Sequence, residues 1–84
     1  MIIEILGIGC GACRRMESEV REIVQQMQLN AQVERVEDLE KILQAGLTGL
    51  PGLMINGKIV ACGYAGRRKL EFILRDAAAV YKES

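Results

Sequence analysis

Two thiols, Cys10 and Cys13, are separated by two residues in the stretch "ILGIGCGACRRMESEV". Such a pair can shuttle electrons, hold a soft metal or fill a core. If a helix begins at Cys10, Cys13 falls one turn on and on the same face, close enough for the sulfurs to bond. Unpaired N–H groups of the first turn, together with the positive end of the helix dipole, favour thiolate over thiol at Cys10. Cys10 is then the natural nucleophile toward an incoming disulfide. Gly9 and Gly11 leave its surroundings open, and Cys13, deeper in the helix, becomes the shielded resolving thiol. Arg14 and Arg15 add positive charge nearby, although arginines on a helix surface are ordinarily just solvated.

Other readings fit parts of the same stretch. Both cysteines could pack as small apolar residues. "GIGCGA" formally satisfies the G-x-G-x-x-G/A dinucleotide pattern after a strand, with Glu37 and Asp38 near the end of the next one. That fold needs about six strands and a far longer chain.

The whole chain narrows the field. At 84 residues, half of them apolar, it suffices for one compact domain, residues 1–84, and not for two cores. Acidic and basic residues balance at 11 each, so no net field favours nucleic acid or a membrane surface. Histidine is absent, which removes Cys-His nucleophile pairs, mixed Cys/His zinc sites and histidine bases together. Three cysteines, two of them so close, do not read as a secreted disulfide framework, so a reducing compartment is expected. No basic leader precedes the short apolar run at the N-terminus, and no stretch approaches the roughly 18 apolar residues of a membrane span. A soluble, monomeric cytoplasmic protein without a cofactor is expected.

The elements that must position the thiols follow from periodicity. Residues 2 to 6 read as a buried strand ended by Gly7. From about Cys10 to Gln28, Met16, Val20, Ile23, Val24 and Met27 recur at helical spacing. Residues 31 to 36 give a second strand, and residues 38 to 45 a shorter helix stopped by Gly46. "LMI" and "KIVAC", joined by Asn56-Gly57, form the strongest short hairpin signal in the chain. A last helix, from about Arg67 to Lys82, carries Leu70, Ile73, Leu74, Ala77, Ala78 and Tyr81 on one face, with Arg67, Arg68, Glu71 and Arg75 toward solvent. The order is β-α-β-α-β-β-α, with the first two strands parallel through a right-handed crossover.

The lone proline, Pro51, stands just before the hairpin. A proline can start an edge strand without needing its missing N–H. In this strand order it also lies at the sheet end where the Cys10 helix begins, and a cis bond after Leu50 would turn that residue's backbone toward a substrate chain.

Through "MIIEILGIG", "CGAC", "TGLPGLMINGKIVACG" and the closing helix, the chain resembles the small thioredoxin-like or glutaredoxin-like redox-active disulfide proteins of archaea and bacteria. The resemblance implies a thioredoxin-like α/β fold with a four-stranded mixed sheet flanked by helices. It also implies Cys10 attacking, Cys13 resolving and Pro51 in cis, with Leu50, Gly9 and Gly11 beside it against the substrate. A disulfide-containing protein would be the substrate, and a thioredoxin-reductase-like partner would recharge the pair. Departures from the thioredoxin pattern are Ile8-Gly9 in place of a preceding Trp, Gly11-Ala12 between the cysteines, and Leu50 rather than Thr before Pro51, with Thr48 upstream. "CGYAGRR" also lacks the acid of the glutathione clamp in glutaredoxins. By the same likeness Glu4, flanked by Ile3 and Ile5, is the candidate for proton transfer. Cys62 is expected as a buried small apolar residue, and Tyr64 and Arg67 could rim the substrate groove.

A competing likeness is the "G-M-x-C-x-x-C" loop of soft-metal carriers, in which Cys10 and Cys13 would hold Cu(I) between two thiolates. Those domains run β-α-β-β-α-β and end in a strand.

Overall fold

The computed structural model describes residues 1–9, 11–47 and 49–81. Its elements are β1 (Ile2–Leu6), α1 (Gly11–Met27), β2 (Gln32–Val36), α2 (Leu39–Gln44), β3 (Gly52–Ile55), β4 (Lys58–Cys62) and α3 (Arg67–Val80). Cys10, Thr48 and Lys82, all named above, lie outside the described residues. The order ends in a helix, as the hydrophobic periodicity predicts, and not in the strand of the metal-carrier arrangement.

The four strands form one sheet in the order β2-β1-β3-β4. β1 runs parallel to β2 and antiparallel to β3, and Leu6 faces Gly52 across the latter pair. The end of β1 and the start of β3 therefore meet at one edge of the fold. α1 also begins there, because only a short loop separates it from β1.

Alternation along β1 sorts its side chains. Ile3 and Ile5 join Leu53 and Ile55 beneath Met16, Val20 and Ile23 of α1 and Leu70, Leu74 and Ala77 of α3. Both long helices thus cover one face. Glu4, Leu6 and Met54 face the other side, toward α2 residues Lys41 and Gln44. Each large aliphatic side chain moved from water into this core stabilises the fold by about 1.5–3 kcal/mol before entropy is charged.

Local signals end the elements where the physics requires. α1 stops at Gln28, which takes a positive φ of 54°, while the Leu29 N–H donates to the Val24 carbonyl at 3.0 Å. Asp38 caps α2 by accepting from the Glu40 N–H at 3.0 Å. Asn56 and Gly57, with φ of 50° and 84°, make the tight β3–β4 turn. The Asn56 side chain also accepts from the Ile2 N–H at 2.8 Å, pinning the hairpin to β1. The β3–β4 ladder shifts register between Leu53 and Met54. No helix among the described residues is long and apolar enough to cross a membrane.

Candidate active site

The first structural link to the chemistry is a close approach at the end of β1. Cys13, the third residue of α1, is 1% exposed. Its Sγ packs directly on Gly7, so that a methyl group at position 7 would overlap the sulfur and lie 3.1 Å from Cys13 Cβ. The same methyl would lie 3.9 Å from Pro51 Cβ. A buried thiol, a residue without a side chain and the lone proline therefore converge within one van der Waals layer. Sequence reasoning treats Gly7 only as the end of a strand. Its signal is the position itself: a glycine at a strand end, two residues from the next glycine and six from the cysteine it must accommodate.

The neighbours of this layer are open. Gly9 has a φ of 75° and, like Gly11, has no described residue beyond its chain neighbours and its own helix backbone within 4 Å of where a Cβ would stand. α1 starts at Gly11 with no acidic residue in its first turn, so nothing there offsets the positive end of the helix. Across the loop, the Leu50–Pro51 peptide bond is cis. Pro51 is buried, and its carbonyl accepts from the Gly63 N–H at 2.7 Å. Leu50 is 39% exposed, and no backbone hydrogen bond engages it among the described residues.

Two expectations fare differently. Glu4 is half-buried and lines a recess of about 360 Å³ with Leu6, Val36, Lys41 and Met54, on the α2 side of the sheet. Cys13 belongs to α1, which covers the opposite face of the sheet. The expected burial of Cys62 is incorrect: it is exposed and in no disulfide among the described residues. The physical reason is that β4 is the sheet's edge strand, where alternation along the strand no longer guarantees cover on either face.

The rim beside the first turn of α1 is built by Tyr64. Its hydroxyl donates to Glu19 Oε1 at 2.7 Å, and the Arg15 guanidinium lies over its ring, 5.9 Å from the centroid. Arg67, expected toward solvent, is partly exposed and also paired. It bonds Glu22 at 2.9 Å, Gln26 at 3.3 Å and Glu71 at 3.3 Å, tying the start of α3 to α1. The hydrogen bond to Glu22 is the main cause holding its guanidinium above the usual arginine range.

The hydrogen bond to Glu19 raises the Tyr64 phenol above the ordinary tyrosine value, aided by desolvation and by the Glu19 charge and opposed by Arg15. A raised pKa means that the fold holds this proton more tightly than the unfolded chain. Its stabilising effect is complete below the ordinary tyrosine range and is lost as pH rises through the raised value. In a Tyr81→Phe background, absorbance titration is expected to show Tyr64 ionising at lower pH once Glu19 is replaced by alanine. An unchanged midpoint would show that Glu19 is not the cause.

Comparison with known proteins agrees with this geometry. The family profile described as a thioredoxin domain matches residues 1–75. A protein called thioredoxin from the archaeon Methanothermobacter thermautotrophicus is 37% identical over 75 residues, covering 88% of this chain and 97% of its own length. Among solved structures, the germline-specific thioredoxin Deadhead of Drosophila melanogaster superposes with a TM-score of 0.67 at 19% identity, over 89% of this chain and 78% of that one, which establishes the shared fold. By sequence and by fold together, the chain belongs to the thioredoxin domain family and is a thiol–disulfide oxidoreductase.

Proposed function

We propose that Cys10 and Cys13 are the exchanging dithiol, with Cys10 attacking and Cys13 resolving. The observation that carries this reading is the buried Cys13 thiol, seated against Gly7 and beside Pro51, three residues after Cys10 in the chain. Cys10 immediately precedes α1, whose unpaired first-turn N–H groups and acid-free start favour a thiolate there.

The Cys10 thiolate attacks one sulfur of a protein disulfide. The substrate S–S bond breaks, and the released thiolate takes up a proton. Cys13, giving up its own proton, then attacks the Cys10 sulfur of the mixed disulfide and frees the second substrate thiol. Two electrons and two protons pass to the substrate, leaving a Cys10–Cys13 disulfide. A reductase of the dithiol class returns two electrons and two protons to reset it, in a compartment kept reducing. Leu50, Pro51, Gly9 and Gly11 form the surface on which the substrate chain lies, with the Leu50 backbone supplying its hydrogen bonds. Glu4 enters as the one carboxylate of β1 and the candidate for proton exchange with the resolving thiol.

The test is stoichiometric. Reduced protein mixed with bis(2-hydroxyethyl) disulfide should release two equivalents of mercaptoethanol and lose two thiols, both mapped to Cys10 and Cys13. Release unaffected by Cys10→Ser would refute the assignment.

A further inference from the structure

We propose that the recess lined by Gly11, Ala12, Arg15 and Tyr64 is a specificity subsite for a carboxylate side chain of the substrate polypeptide, flanking the disulfide under attack. The inference rests on the dithiol reading above and adds what that site selects. The recess encloses about 280 Å³ and opens beside the first turn of α1, adjacent in the chain to both cysteines. That is just below the range of small-molecule pockets and leaves ample room for one side chain of the substrate.

Its charge follows from who is paired with whom. Arg21 pairs with Glu17, Arg35 with Glu17 and Glu37, and Arg67 with Glu22 and Glu71. Arg15 has Glu19 at i+4, the spacing at which a helical ion pair ordinarily forms. Glu19 instead takes the Tyr64 hydroxyl at 2.7 Å, and Arg15 makes no ion pair among the described residues. Tyr64, anchored by Glu19, thus serves as a platform that holds the guanidinium over its ring. Glu19 does not line the recess, and the first turn of α1 carries no acid. A cation stacked on the ring, with its planar donors in no ion pair among the described residues, faces the cavity beside the first turn of α1. Such an arrangement suits an incoming carboxylate.

Two disulfide-bridged peptides, identical except for Glu or Lys on either side of the half-cystine, provide the test. Their second-order exchange rates with reduced wild-type protein, with Arg15→Gln and with Arg15→Glu are compared at about 20 mM salt, where surface charge is weakly screened. Bis(2-hydroxyethyl) disulfide serves as an uncharged reference. The ratio of the two peptide rates cancels any change in the Cys10 thiolate itself, which would affect both peptides alike. Wild type should favour the Glu peptide by about tenfold, as a partly exposed attraction and the matching repulsion together allow. Arg15→Gln should bring the ratio near one, Arg15→Glu should invert it, and added salt should erase it. Equal rates for both peptides with intact exchange of the reference disulfide would overturn the subsite while leaving the dithiol reading in place. Failure to exchange with all three disulfides would overturn both.

Discussion

Replacing Cys13 with serine is expected to turn the protein from a catalyst into a trap. Attack by Cys10 still forms a mixed disulfide, but a hydroxyl cannot displace it, so the adduct accumulates at Cys10 and turnover stops. The resolving step is intramolecular, and such steps enjoy effective molarities of about 10⁵ M or more. Its loss should therefore lower multiple-turnover rates by at least about a hundredfold, well beyond what an external thiol restores. The substitution suits the test because Cys13 is 1% exposed and serine is smaller than cysteine, which leaves the contact with Gly7 unstrained. Mass spectrometry of the quenched reaction should find the substrate on Cys10. An adduct on the exposed Cys62, or undiminished turnover, would show that the chemistry lies elsewhere.

The second large effect is structural. Gly7→Ala should destabilise the fold by about 1–3 kcal/mol, the usual cost of forcing one extra carbon into a packed interior. The new methyl has to share space with Cys13 Sγ, and Pro51 Cβ stands 3.9 Å away. For a chain of this size each kcal/mol lowers the melting temperature by about 4–8 °C. Because the strain falls on the sulfur, the loss should be coupled to it. Gly7→Ala combined with Cys13→Ala should cost less than the sum of the separate changes. Relief should be partial, since the methyl would still lie 3.1 Å from Cys13 Cβ. Additive effects, or no destabilisation by Gly7→Ala alone, would mean that the close approach does not govern the packing.

Most elements were legible because each rests on a local cause. The run of isoleucine and leucine at residues 2 to 6, the helical spacing of Met16, Val20 and Ile23, and the Asn56-Gly57 turn all act within a few residues of themselves. The family and fold followed from the cysteine spacing, the lone proline and the element order. What stayed hidden depends on neighbours distant in sequence. Cys62 alternates like a buried strand residue, but only the strand order reveals that β4 is an edge. Arg67 sits on the polar side of its own helix, and its partners Glu22 and Gln26 become visible only when α3 is laid beside α1. Gly7 reads as punctuation until Cys13 is folded onto it. Arg15 and Glu19 look like an ordinary helical ion pair until Tyr64 arrives from the β4–α3 connection and separates them.

Alkylation of the three cysteines of the reduced protein, followed site by site with a neutral reagent at near-neutral pH, tests the central claim most directly. If access alone decided reactivity, Cys62, exposed on the edge strand, would be modified first. Thiolate character at the start of α1 predicts the opposite order, with Cys10 reacting several-fold faster than Cys62 and the buried Cys13 far slower than either. Cys62 reacting first, with Cys10 no faster than an ordinary thiol, would contradict the account.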